Sequence, residues 1–241
     1  MTLEILGRMM NASNSTIVVR ENDVQYVYKP VSGERPLWDF PDGTLAARER
    51  AAFIVSDAAG WNVVPPTQLR EGPMGEGSFQ EWVDADVTSV DVVAPSEVPE
   101  DWHLVMTGVD ETGREVALAH APDDGLRRIA LFDAVINNAD RKGGHILTGD
   151  DGSHYAIDHG VTFHNEPKLR TVLWGWVGEP FTVEEIELLD NTLTAADSEE
   201  LALLLSSEEI TALKDRVRGL KDLGSFPEPS PAWPSIPWPV F

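Results

Sequence analysis

Asp140 and Asp158 stand eighteen positions apart, each in a turn between short apolar runs, and their spacing suits a chemistry that uses two carboxylates. Asp140 opens Asp140-Arg141-Lys142-Gly143-Gly144-His145, just after an apolar helix-like run from Arg127 to Ile136. Ile146-Leu147 reads as a short strand, and Ala156-Ile157-Asp158-His159-Gly160 returns with the second carboxylate. Phosphoryl transfer needs one carboxylate beside the attacking hydroxyl and another holding a metal on the nucleotide phosphates. Two Asp-bearing loops joined by a short hairpin can meet those demands at one point. Asp beside Gly is ordinary turn chemistry, so either loop alone says little. The order helix, Asp-Arg loop, strand, turn, strand, Asp-x-Gly is what points to a site.

The elements that must position these loops are legible upstream. Residues 3–6 read as a strand, and Thr16–Arg20 and Val24–Tyr28 flank Glu21-Asn22-Asp23, a suitable hairpin turn. Lys29 then falls at a strand end beside Pro30, where an ammonium can reach α- and β-phosphates. Residues 44–59 form the clearest helix, with Asp42 and Thr44 as N-cap candidates and Gly60 as its stop. Glu49 lies near its start, within reach of a lysine on a neighbouring strand. The loop from Gly7 to Thr16 has no glycine fingerprint or Walker pattern; it is either a plain connection or a set of N–H and hydroxyl donors for phosphates.

Further along, Gly72–Gly77 is a turn-rich loop before the extended run Ser78–Val83. Residues 84–102 read as an acidic surface insertion, and Val105–Thr107 with Glu115–Ala119 as a hairpin. Asp123–Asn137 reads as a helix whose Ile129, Phe132 and Ile136 face a core. Helices are expected from Thr182, over Ala195–Leu205 and over Ser207–Leu220, the last capped at Ser207. Residues 227–241 are Pro-rich and extended; Trp233, Trp238 and Phe241 predict that they pack on the body.

Several of these segments resemble, in the same order, the phosphatidylinositol 3- and 4-kinase superfamily, and within it the type II phosphatidylinositol 4-kinase-like proteins of bacteria. Asn138–His145 is similar to the Asp-Arg-x-x-x-Asn catalytic loop, and Ala156–Gly160 to the metal-binding Asp-x-Gly. Tyr28-Lys29-Pro30 resembles the strand of the ATP-contacting lysine, and Ala47–Phe53 the helix of its partner glutamate. Asn62–Thr67 and Gly77–Val83 resemble the following strand and hinge, and Leu173-Trp174-Gly175-Trp176 a Trp-x-Trp pair. The likeness spans roughly residues 17–180.

The resemblance implies an α+β, two-lobed protein-kinase-like fold. A small β-rich N-lobe would cover residues 1–83 and a mainly helical C-lobe residues 84–241. It implies an ATP-dependent kinase that phosphorylates a hydroxyl with Mg²⁺ or Mn²⁺. Asp140 would orient the acceptor and take its proton, with Lys142 steadying the phosphoryl group. Lys29 and Glu49 would pair at the phosphates, and Gln80, Glu81, Trp82 and Val83 would form the adenine hinge through their backbone. Asp158 would hold the metal. His145 departs from the family's asparagine: imidazole favours softer divalent metals, whereas Mg²⁺ prefers oxygen. It therefore points either to Mn²⁺ or to a pseudokinase that binds nucleotide without turnover. A third reading is a metal-dependent hydrolase, because His145, His154, His159 and His164 fall within twenty residues. Their spacing fits no standard metal motif, and His154 is expected to point outward from a turn.

Composition narrows the partners. The formal net charge is −23, a surface that repels nucleic-acid backbones and anionic headgroups. A protein or small-molecule acceptor is thus expected rather than a lipid, with no nucleic acid and no membrane insertion. There is no cysteine, hence no disulfide, thiolate metal site or lipidated thiol. No basic start with a long apolar core opens the chain, and the expected location is cytoplasmic.

Overall fold

The computed structural model describes residues 3–9, 15–85, 88–149 and 152–241. Five antiparallel strands form the first sheet: β1 (Glu4–Arg8), β2 (Ile17–Glu21), β3 (Val24–Pro30), β4 (Thr67–Gly72) and β5 (Gly75–Glu81), in the order β1-β2-β3-β5-β4. The β2–β3 turn works because Asn22 and Asp23 accept positive φ, 50° and 68°, as their short polar side chains tolerate left-handed backbone. Ile17, Val19, Tyr28 and Phe79 form a small core on this sheet, with Tyr28 and Phe79 stacked 4.4 Å apart. Gly77 on β5 is needed for closeness: a Cβ there would meet the Lys29 carbonyl oxygen at 2.4 Å. Most of the expected loop from Gly7 to Thr16 lies outside the described residues.

Helix α1 (Leu45–Ala58) lies against β4 and β5, and its fully buried Ala51, Ala52 and Val55 join the main core shared with the helices. Its N-terminus departs from the sequence expectation. The Thr44 hydroxyl donates to the Pro41 carbonyl instead of capping, and the distant Glu34 carboxylate receives the Leu45 and Ala46 N–H groups at 3.1 and 2.8 Å. An anion at exposed N–H groups and the positive end of the dipole is a stronger cap than a hydroxyl.

The rest of the chain is built round α2 (Asp124–Ile136), whose Leu126, Ile129, Leu131, Phe132, Val135 and Ile136 are all fully buried. Apolar residues on every side mark a helix central to its lobe. Asp123 caps it by accepting the Gly125 N–H, and Asn137 ends it in the left-handed region at φ 55°. Helices α3 (Val183–Ala195), α4 (Glu199–Ala202) and α5 (Ser207–Leu223) form the rear wall. Two expectations shift here. Only residues 199–202 of 195–205 are a separate helix, because Ser198 starts a new cap, and α5 is capped by Ser206 in a reciprocal box with Glu209, not by Ser207.

A three-stranded sheet, β6 (Val90–Val93), β7 (His103–Val109) and β8 (Glu115–His120), lies in the order β6-β8-β7. The expected hairpin is therefore present and longer, but the acidic insertion is corrected: Val90-Asp91-Val92-Val93 pairs with β8 along its length. Its β-branched residues decide the local structure, while the acidic residues around them set only the impression of a solvated loop. Strands β9 (Ile146–Thr148) and β10 (His154–Ala156) make the short hairpin between the two Asp loops. The chain is thus a two-lobed α+β protein, a β-rich lobe with one helix against a mainly helical lobe. Among the described residues no helix is long and apolar enough to cross a membrane.

Candidate functional site

The site forms where β3, α1 and the loop after β10 meet. The Lys29 ammonium lies 2.5 Å from Glu49 Oε1 and 2.8 Å from Asp158 Oδ1. The Glu49 side chain is buried, whereas that of Asp158 is half exposed and faces the opening. Burial works against the Lys29 charge, yet the Asp158 and Glu49 carboxylates outweigh it and hold the ammonium above its ordinary range. Burial also pushes Glu49 up, resisted by Lys29, while at Asp158 the Lys29 charge overcomes burial and keeps the carboxyl well below the usual range. Asp158 sits at φ 61°, a conformation Asp tolerates better than most residues and one that turns its carboxylate back toward β3.

His145 joins the two Asp loops. Its Nδ1 is 3.1 Å from the Asp140 carbonyl oxygen and its Nε2 is 3.3 Å from Asp158 Oδ2. Both partners can only accept, and only the Asp140 carbonyl contact meets hydrogen-bond geometry, so the neutral ring places its proton on Nδ1 and presents the Nε2 lone pair toward the carboxylate. Burial, with the nearby Arg141, Lys29 and Lys142 charges, holds the imidazole at about 4 against the pull of Asp158, so it is neutral at pH 7. Two lone-pair donors then face each other with no proton between them, which is a setting for a cation. A divalent cation of this kind commonly takes one or two protein ligands and draws the rest from phosphates and water; the Asp158 carboxylate fits that role, and the His145 nitrogen shifts the pair away from Mg²⁺ toward a softer ion. Among the described residues, no group of three or more His, Asp and Glu converges on a common point.

Asp140 pairs with Lys142 at 3.4 Å (Oδ2 to Nζ). Burial raises its carboxyl above the usual range despite Lys142, which is the direction a proton acceptor in a dry site requires. The loop is held by a residue that the sequence reading passed over. Asp133, on α2, receives Arg141 Nε at 3.0 Å and Arg141 Nη2 at 2.9 Å, with both side chains fully buried. It also accepts from Asn138 Nδ2 at 2.9 Å, while Asn138 Oδ1 takes the Asp140 N–H at 3.0 Å. Arg141 continues to the Ile157 carbonyl at 2.5 Å and to His159 Nε2 at 2.8 Å. One buried guanidinium thus ties α2, the Asp140 loop and the Asp158 loop together. The available signal was a charge on a helix face otherwise made of Ile129, Phe132 and Ile136.

The remaining expected site residues are less concentrated. Gln80 is buried and its Nε2 donates to Thr67 Oγ1 at 3.0 Å, inside the sheet. The Glu81 and Trp82 N–H groups are bonded to the Pro66 and Gln25 carbonyls. Among the described residues nothing bonds the Val83 backbone, so its N–H and C=O are open. The four clustered histidines separate: His159 meets Arg141, His164 meets Asp39 and Glu166, and only His145 faces Asp158. His154 reverses its outward expectation, because it lies on β10 with its side chain buried 3.3 Å from Asp123.

The Pro-rich segment packs on the body, but not through all three aromatic residues that predicted it: Trp233 is partly buried, whereas Trp238 stays 80% and Phe241 49% exposed. The Thr171 N–H and Trp174 Nε1 donate to the Ser235 carbonyl, and the Gly143 N–H donates to the Val240 carbonyl at 2.8 Å. A Cβ on Gly143 would meet the Phe241 ring at 2.4 Å, so a glycine in the Asp140 loop is required for this close approach.

No protein-family model matches the chain. It is 46% identical over 257 residues to protein Rv2133c of Mycobacterium tuberculosis (strain ATCC 25618 / H37Rv), covering 99% of this chain and 92% of that protein. Among solved structures it is similar to the Helicobacter pylori proinflammatory kinase CtkA. That match has a TM-score of 0.48 and 11% identity, and covers 92% of this chain and 93% of that one. At such a distance no residue role passes from one to the other.

Proposed function

The chain belongs to the family of Mycobacterium tuberculosis protein Rv2133c, and we propose that it is an ATP-dependent phosphotransferase acting on a hydroxyl of a protein or small-molecule acceptor with a divalent metal. The observation that carries this reading is Lys29 held between buried Glu49 and half-exposed Asp158, with His145 bridging to the Asp140 loop. A lysine so fixed offers its remaining hydrogen-bonding capacity to phosphate oxygens, and Glu49 limits its motion. Asp158 and His145 would hold the metal, which screens phosphate charge when bound. Val83 would meet the adenine through its backbone.

In the transfer, the acceptor oxygen bonds to the γ-phosphorus, the bond from that phosphorus to the β,γ-bridging oxygen breaks, and ADP leaves. The acceptor proton passes to Asp140, whose raised carboxyl range suits the task. Lys142, 3.4 Å from Asp140, would steady the moving phosphoryl group.

The test is label transfer from γ-labelled ATP, measured beside nucleotide binding. Asp158→Ala should abolish metal-dependent nucleotide affinity. Asp140→Ala should keep ATP binding and lose about 10²–10⁴ in transfer rate. A wild type that binds ATP and metal but gives no transfer, autophosphorylation or hydrolysis would make the protein a nucleotide-binding pseudokinase. An Asp140→Ala variant with an unchanged transfer rate would remove Asp140 from the chemistry.

A further inference from the structure

Close to the Asp140 loop lies a cation that no carboxylate among the described residues reaches at ion-pair distance. Arg170 runs next to the Asp140 loop: its N–H donates to the Asn138 carbonyl at 2.8 Å, and its carbonyl accepts the Arg141 N–H at 3.0 Å. Those two bonds straddle residues 139 and 140. The guanidinium carbon sits 4.4 Å from the centre of the Trp233 ring, and Trp233 is anchored by its own Nε1 on the Lys168 carbonyl at 3.0 Å.

The neighbouring cations differ. Lys168 is neutralised by Asp39 at 3.0 Å, and Arg141 by Asp133. No carboxylate among the described residues reaches ion-pair distance of Arg170, and its Nε is buried without a hydrogen-bond partner. In a chain of net charge −23, a carboxylate partner for an arginine is easily had. A guanidinium stacked on indole keeps its edge free for planar, bidentate recognition of a carboxylate or phosphate.

We propose that the acceptor carries an anionic group, carboxylate or phosphate, close to its reacting hydroxyl, and that Arg170, held in plane by Trp233, binds that group. The inference rests on the phosphotransferase reading and specifies the acceptor class. Asp140 and the acidic surface repel an anion, and Arg170 together with Lys142 offsets that repulsion where the hydroxyl must lie. A neutral hydroxyl compound leaves the charge on the free edge of Arg170 unanswered, so the site discriminates against it. The charge of Arg170 also acts on Asp140, easing its carboxyl downward against the effect of burial.

The experiment is calorimetric titration of the full chain, saturated with a non-hydrolysable ATP analogue and Mn²⁺ so that Lys29 is engaged. The probes are glycerol, glycerate and glycerol 3-phosphate. The two anions should bind at least ~10-fold tighter than glycerol, and Arg170→Ala should remove most of that ratio, about 10–100-fold for a charge-assisted pair. Arg170→Lys should recover part of it, and Trp233→Leu should fall between, because charge is kept but orientation is lost. The glycerate and phosphate arms separate the two anion types. Equal binding of glycerol and both anions, or an Arg170→Ala protein that folds and keeps the ratio, overturns the proposal. A wild type that fails to bind the analogue with metal defeats the phosphotransferase reading itself, a separate outcome visible in the first titration.

Discussion

Replacing Asp133 with Asn tests whether the buried guanidinium of Arg141 is what holds the two Asp loops together. Both side chains are fully buried, and Asp133 accepts two Arg141 nitrogens within 3.0 Å together with Asn138 Nδ2. Removing one charge from a buried pair costs about 3–5 kcal/mol. Arg141 keeps its bonds to the His145 and Ile157 carbonyls, so the lower half of that range is expected, about 3 kcal/mol. With a total stability of about 5–15 kcal/mol the variant remains folded, and its Tm falls by roughly 6–12 °C for a chain of this size. Urea unfolding followed by tryptophan fluorescence gives the free energy, and calorimetry gives the Tm. The double variant Asp133→Leu, Arg141→Met should regain much of the stability, since apolar replacement of a buried pair is often neutral, while label transfer stays lost. A single variant within about 1 kcal/mol of wild type, or a double variant less stable than the single, would refute the argument that this pair is the common anchor.

Lys29→Met leaves Glu49 buried without its partner, so it should lower both nucleotide affinity, by roughly 10–100-fold for lost charge-assisted bonds, and urea stability; unchanged ATP binding by titration would exclude Lys29 from the phosphate site. Because His145 offers nitrogen where oxygen suits Mg²⁺, metal-dependent nucleotide binding should be tighter with Mn²⁺ than with Mg²⁺, and His145→Asn should narrow the gap; equal affinities in both proteins count against His145 as a ligand. His120 is held at about 4 by burial, opposed by its bond to the Ala121 carbonyl. The unfolded chain, with an ordinary histidine near 6.5, then binds more protons as pH falls from about 6.5 toward 4. Folding stability should drop over that window by up to ~1.4 kcal/mol per pH unit from this group. An NMR titration that finds the His120 ring protonated at pH 6 would show the sign to be wrong.

Much of the site was legible because its parts are local. Asp140, Lys142 and His145 lie within one turn and its flanks, and the β9–β10 hairpin that returns the chain to Asp158 is signalled by turn residues and short apolar runs. Lys29 and Glu49 were legible through the elements that carry them, a strand end and the first turns of a helix. What escaped was long-range polar pairing. Asp133 sits in a helix whose periodicity announces only core, and its partner Arg141 is eight positions on. Glu34 reaches α1 from a preceding loop and displaces the local caps that propensity favours. Strand β6 was hidden by its acidic neighbours, since composition weighs every residue alike and pairing with β8 depends only on four. Arg170 carries no motif at all; its isolation from carboxylates exists only in three dimensions.

The Pro-rich segment has a consequence for the making of the protein. Gly143 in the Asp140 loop bonds to Val240 and lies against Phe241, Lys29 meets Asp158 across 129 positions, and Arg48 of α1 meets Glu209 of α5 across 161. The site's charged side chains are all present by Asp158, yet contacts that brace them come from positions as late as Glu209, Val240 and Phe241. A chain cut short of those positions can hold folded strands and helices and still lack the braces of the site. Contacts of such sequence separation also slow folding, since loop closure precedes their reward.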